Sequence, residues 1–170
     1  TEPEIATFGE KGAIASWCPT SNNFLGSGMF DFFKFAEHTD KVTLGTDFAG
    51  GESPSMLKAL GDAYKVSLLQ GYKLASMVRW YLSTLGAAKS LEIDNKVGNF
   101  AVGKEADFIV IDPYGIPELA HRMQTVDDIY EFLFVLMTVG DSRLIKETYL
   151  AGERYQGGFQ EKSNVVSMQG

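Results

Sequence analysis

The sequence has little of what cross-linked or metal-stapled domains are built from. Its 170 residues include one cysteine, Cys18, and two histidines, His38 and His121. A single thiol excludes an internal disulfide, and these three residues are too few for a Cys₄ or Cys₂His₂ structural zinc site. A lone thiol fits a reducing, cytoplasmic compartment. No apolar run approaches the roughly 18 residues that a membrane span requires, and no signal-peptide pattern opens the chain. Basic residues are in deficit: 15 Lys+Arg against 22 Asp+Glu give a net charge of -7. That balance argues against a surface for nucleic acid or another polyanion. Aromatic residues, by contrast, are plentiful: twelve Phe, seven Tyr and two Trp exclude the composition of a disordered chain. What remains is a soluble, acidic, globular chain of about one domain. It opens on Thr1 rather than Met, which leads us to expect a processed or partial product.

The first half alternates helical and extended patterns. Glu2 to Glu10 reads as a helix stopped by Gly12. Ala13 to Cys18 is a compact apolar run closed by Pro19, as in a buried strand. Thr20 to Gly28, rich in Ser, Asn and Gly, reads as a loop. A helix is expected from Met29 to about His38, with Phe32, Phe33 and Phe35 on its buried side. Lys41 to Thr46 reads as a second strand. Ser53 and Pro54 then form a helix start, a hydroxyl cap followed by proline. Leu57, Leu60, Tyr64 and Leu68 lie on one face of that helix, and Gly71 and Tyr72 interrupt it. Leu74 to Leu85 has the spacing of a further helix. Long crossovers between the strands predict a parallel α/β arrangement. After about Asp94 the texture turns mostly to β: a glycine-punctuated turn at 97–104, a strand at 107–112, and a hairpin from Leu144 to Tyr155 around Ala151 and Gly152. One helix, from Thr125 to Val139, interrupts it, with Asp127 and Asp128 at its positive end.

Asp47 is the residue best placed for chemistry. It ends a predicted parallel strand and precedes Gly50 and Gly51, where α/β folds gather their active sites. Glycines there let the backbone pass close to a ligand. Asp is also common in turns, so on the pattern alone a turn-capping role is the more ordinary one. Cys18, Ser21 and Asn22 end the earlier strand on the same predicted rim. Cys18 lacks an identifiable base and reads as a small buried hydrophobe, and Ser21 and Asn22 read as loop hydrogen-bonders. Neither His38 nor His121 belongs to an HxH, HExxH or HxxxH pair, so neither reads as a metal ligand. Gly98 to Gly103 spaces its glycines like half a phosphate loop but precedes a strand rather than a helix.

Taken together, CPTSNNFLGSG (18–28), LGTDFAGGESPSML (44–57), STLGAAKSLEIDNKVGNFAVGKEADFIVIDP (83–113) and VGDSRLIKETYLAGE (139–153) resemble the guanine deaminases of the amidohydrolase superfamily. The resemblance covers Glu10 to about Tyr155. GKEADFIVIDP is a superfamily trait; CPTSN, GTD followed by AGG, and GNF in combination are specific to guanine deaminases. The resemblance implies a metal-bearing (β/α)₈ TIM barrel beside a small β-sandwich. Residues 1–94 would be the C-terminal part of the barrel, with 13–18 as strand seven and 41–46 as strand eight. Residues 95–155 would be the C-terminal share of the sandwich with a helical insert, and 156–170 a flexible tail. It further implies hydrolytic deamination of guanine to xanthine and ammonia, a zinc ion, a homodimer, and Asp47 as both metal ligand and catalytic proton shuttle.

The chain departs from the family in lacking the strand-one HxH, the later histidines and the catalytic glutamate, and Trp17 stands where relatives often have histidine. A whole barrel takes about 250 residues. The expectation is therefore the C-terminal part of a guanine deaminase, inactive by itself. Two other readings stay open: a stand-alone non-catalytic remnant that binds a partner, and a related amidohydrolase acting on another purine or a triazine.

Overall fold

A pair of short parallel strands lies at the centre of the molecule. In the computed structural model, which describes residues 1–157, β1 (Ala15–Trp17) and β2 (Val42–Leu44) pair with Ala15 opposite Val42 and Trp17 opposite Leu44. The tail expected from Gln156 lies outside the described residues beyond Gly157. Every residue of β2 is buried, as a parallel strand covered on both faces requires. Trp17, 1% exposed, stacks on Phe30 and Phe32 at 5.4 and 6.3 Å. The phenylalanine cluster is thus core, although Phe33 is exposed where the sequence predicted it buried.

Helices α1 (Glu2–Glu10), α2 (Pro19–Leu25) and α3 (Phe32–Ala36) surround this pair, followed by α4 (Met56–Leu69), α5 (Ser76–Leu82) and α6 (Leu85–Ser90). Three differ from the sequence expectation. The segment after Pro19 is a helix, not a loop: the proline that closes β1 has the fixed φ of a first helical residue, and Gly26 at φ 68° ends the helix. The next helix starts only after Asp31, whose carboxylate accepts from the Lys34 N–H at 3.1 Å. The helix expected from Leu74 to Leu85 is split into α5 and α6 at Thr84, whose backbone leaves the helical region. In α4, Ser55 rather than Ser53 is the cap position; the Ser53 hydroxyl instead accepts from the Ser55 N–H at 3.2 Å. Leu68 points outward at 47% exposure.

The second part joins β3 (Phe108–Ile111), α7 (Pro117–Met123), α8 (Ile129–Val139), β4 (Ile145–Leu150) and β5 (Glu153–Arg154). The three strands form an antiparallel sheet in the order β3-β4-β5, with a register irregularity between Val110 and Ile111. Phe108 and Tyr149, paired across it, stack at 4.4 Å. Ala151 and Gly152 both take positive φ, 51° and 81°, as a two-residue hairpin twisted with its strands demands. The segment around His121, which the sequence leaves open between exposed helix and loop, is helix α7; Pro117 opens it as Pro19 opens α2. Asp128 caps α8 by accepting from the Glu131 N–H at 2.8 Å. Helices α4 and α8 pack closely because Gly61 has no side chain: a Cβ there would lie 2.6 Å from the Met137 carbonyl oxygen. The architecture is a mixed α/β fold with one continuous apolar core running through both parts.

Candidate active site

Two segments, one after each parallel strand, meet at a single carboxylate. Beyond β2, Gly45 and Thr46 lead to Asp47, whose φ of 47° places it in the left-handed region that Asp tolerates better than most residues. Its carbonyl accepts from the N–H groups of Gly50 and Gly51 at 3.0 and 2.9 Å, which closes residues 47–51 into a tight turn. Asp47 therefore does shape its turn, but through its backbone. Its side chain is left for other work.

Beyond β1, the first turn of α2 brings up Ser21. Its hydroxyl donates to Asp47 Oδ2 at 2.6 Å, and Ser21 is 1% exposed while the carboxylate faces solvent. No other side-chain hydrogen bond to Asp47 forms among the described residues. One carboxylate oxygen is thus fixed by a neutral donor, and the other has no hydrogen-bond partner among the described residues. The two glycines make this possible. A Cβ on Gly50 would stand 2.6 Å from Asp47 Oδ2, and one on Gly51 would stand 2.9 Å from Ser21 Cα. The sequence suggested that these glycines admit a ligand; the close approach they permit is to the protein's own Ser21 and Asp47.

Ser21 as the partner of Asp47 was not expected from the sequence, and neither was the contact beside it. Thr20 Oγ1 donates to Asp62 Oδ2 on α4 at 2.9 Å, and Asp62 Oδ1 accepts from Lys65 Nζ at 2.9 Å. Thr20 is 2% exposed and Asp62 7%. At the far end of the turn, Lys58 on α4 donates to Glu52 at 2.8 Å. That hydrogen bond pulls the Glu52 carboxyl below, and pushes the Lys58 ammonium above, its ordinary range.

The other candidates do not converge here. Cys18 is half-buried, with its sulfur 3.7 Å from the Ser16 hydroxyl, rather than a core hydrophobe. His38 precedes β2 and so lies at the strand end opposite Asp47, and His121 sits exposed in the last turn of α7. Residues 98–103 form turns leading into β3 and open no helix. Among the described residues no three His, Cys, Asp or Glu side chains are grouped to hold a metal ion. The donor set fits one ligand of a metal site, Asp47, and not a whole site, which usually takes three protein ligands. Two cavities, of about 350 and 480 Å³, lie between α4, α5, α6 and the antiparallel sheet; their linings include Trp80 and Ile109, and none of the residues around Asp47.

The same fold recurs in known proteins. The profile of the amidohydrolase family matches residues 1–154. The chain is 44% identical over 151 residues to guanine deaminase from Escherichia coli (strain K12), a match that takes in 89% of this chain and 34% of that protein. To guanine deaminase from Mus musculus it is 36% identical over 165 residues, 91% of this chain and 36% of that protein. The solved structure of E. coli guanine deaminase superimposes with a TM-score of 0.89 and 42% identity over 93% of this chain and 37% of that one. The chain spans roughly a third of the length of the curated relatives it matches.

Proposed function

The chain belongs to the amidohydrolase family, and from that premise we propose that the protein it represents hydrolyses guanine to xanthine and ammonia. The observation that carries this reading is the Asp47 carboxylate. It lies past the end of a parallel strand with one oxygen held by Ser21 at 2.6 Å, in a chain 44% identical to a guanine deaminase over 89% of its length. In this reading β1 and β2 are strands seven and eight of a (β/α)₈ barrel. Residues 1–94 then belong to that barrel, and 95–155 are the C-terminal share of a β-sandwich with α7 and α8 as its insert.

Asp47 would supply one ligand to a zinc ion, and the other ligands would come from the part of the whole enzyme that this third of its length does not include. Zinc, when bound, lowers the pKa of a water molecule to about 7. The work of this chain is then done at one side chain. Asp47 accepts a proton from the water that adds to C2 of guanine and returns a proton to the departing 2-amino nitrogen as the C2–N bond breaks. Ser21 keeps the carboxylate from rotating between those two tasks. The mammalian and bacterial relatives share the substrate by name, which supports guanine over another purine or a triazine. The reading includes a homodimer, as the family resemblance implies. No described helix is long and apolar enough to cross a membrane, and the free thiol supports a cytoplasmic setting.

The test is guanine turnover by the full-length gene product, followed as xanthine by chromatography, with bound metal measured in parallel. The Asp47→Ala variant is expected to lose metal and to fall in turnover by about 10²-fold or more, and the 170-residue chain alone is expected to be inactive. Full turnover by Asp47→Ala would sink the assignment.

A further inference from the structure

The contact between Thr20 and Asp62 lies outside the candidate site and is not used by the mechanism above, yet it is well placed to govern it. Helix α2 has only seven residues, and its N-cap residue, Cys18, makes no side-chain capping bond. Its buried residues are Pro19, Thr20 and Ser21; Phe24 and Leu25, further along, are exposed. Only the first turn is therefore anchored. Within that turn, among the described residues, the side-chain hydrogen bonds to other elements are those of two consecutive residues. Thr20 donates to Asp62 at 2.9 Å and Ser21 donates to Asp47 at 2.6 Å. Consecutive residues on a helix point about 100° apart, so fixing the azimuth of one fixes that of the other. Asp62 is itself locked, 7% exposed and held from its second oxygen by Lys65.

We propose that Asp62, acting through Thr20, is a positioning residue that sets the rotation of α2 and so delivers the Ser21 hydroxyl to Asp47. The inference rests on the proposed role of Asp47 for its kinetic consequence but not for its geometric one. The backbone of Gly51 packs against the same helix turn, since a Cβ there would meet Ser21 Cα at 2.9 Å. Among the described residues the Thr20–Asp62 bond is thus the side-chain tie, other than the Ser21–Asp47 contact itself, that holds this turn against rotation. Without the Thr20 bond, Ser21 drifts from the carboxylate, Asp47 Oδ2 loses its donor, and the carboxylate is free to rotate.

Thr20→Val removes the donating hydroxyl at nearly constant shape, and Thr20→Ser restores it. Both variants, with Asp62→Asn and Asp62→Leu, are made in the full-length protein, crystallised where possible, and assayed with guanine. Thr20→Val and Asp62→Leu are expected to lengthen the Ser21–Asp47 distance beyond 3.5 Å. They should lower kcat on the order of tenfold with KM little changed, the size typical for loss of an outer hydrogen-bond partner. Thr20→Ser and Asp62→Asn, which keep a donor and an acceptor, are expected to keep both distance and kcat. If Thr20→Val loses thermal stability but retains the 2.6 Å contact and the parent kcat, the pair is a structural tie between α2 and α4 and the proposal falls. Where Asp62→Leu fails to fold, Thr20→Val alone decides. If the parent protein shows no turnover of guanine, the functional reading fails, while the Ser21–Asp47 distance in Thr20→Val still decides this inference.

Discussion

Replacing Arg79 by methionine weighs a buried cation against the helical seam that contains it. Arg79 is 0% exposed on α5. One of its guanidinium nitrogens donates to the Leu60 carbonyl of α4 at 2.9 Å, while Nε and Nη2 have no partner among the described residues. Its charge lies 4.9 Å from the ring centre of Tyr64 and 5.7 Å from that of Phe134. Desolvation pulls its pKa down to about 10, which corresponds to about 3 kcal/mol disfavouring the cation in the folded state at neutral pH. Against that stand about 2 kcal/mol of cation–π attraction and about 1.5 kcal/mol for a charged hydrogen bond. Methionine fills much of the same volume and regains about 1 kcal/mol from sulfur–aromatic contact. The sum leaves Arg79→Met neutral or slightly stabilising, by up to about 1 kcal/mol, a Tm change of no more than about 4 °C upward. Arg79→Ala opens a void instead and should cost about 3 kcal/mol. Urea unfolding of both variants at pH 7 is the assay. Below about pH 10 folded and unfolded chains both hold the proton, so the penalty is constant. Above it the folded guanidinium gives up its proton first, and the parent gains stability relative to Arg79→Met. A loss of more than about 2 kcal/mol in Arg79→Met would refute the reasoning, because it would mean the guanidinium is well satisfied in the folded state.

Three further outcomes follow, two from glycines and one from the core beside the parallel strands. Gly51→Ala drives a Cβ to 2.9 Å from Ser21 Cα, so it should lower stability by about 1–3 kcal/mol and reduce guanine turnover together. Gly26→Ala, at φ 68° with nothing within 4 Å, should cost only about 1 kcal/mol and spare turnover; calorimetry beside the xanthine assay separates the two. Trp17→Ala empties a site stacked on Phe30 and Phe32 and should cost about 4 kcal/mol, read from urea unfolding followed by circular dichroism.

The strands, the long amphipathic α4 and the closing hairpin were legible because each rests on a local pattern. Val42 and Leu44 are apolar in a run too short for a helix. Leu57, Leu60 and Tyr64 repeat at helical spacing, and Ala151-Gly152 supplies the two positive φ values its turn needs. Asp47 was legible as a position, a carboxylate after a strand and before glycines. What it touches was not. Ser21 lies 26 residues earlier in a segment whose Ser and Asn content reads as loop, and its helical state is set by Pro19 and by burial against α4. The link from Thr20 to Asp62 spans 42 residues and leaves no trace in either segment alone. Leu68 and Phe33 were expected inside because their spacing matches the core face; where each face meets a neighbour is a tertiary outcome that periodicity does not contain.

The glycine turn and the helix it presses against cannot vary independently. Because the backbone of Gly51 fits against Ser21 with no room for a methyl group, the segment after β1 and the segment after β2 behave as one heritable unit. A chimera that takes residues 47–51 from a relative whose turn carries a side chain at that point would have to import the matching start of α2 as well. Shuffling or loop-grafting libraries built on this protein should therefore keep 18–26 and 45–53 from a single parent, however far apart they lie in the gene.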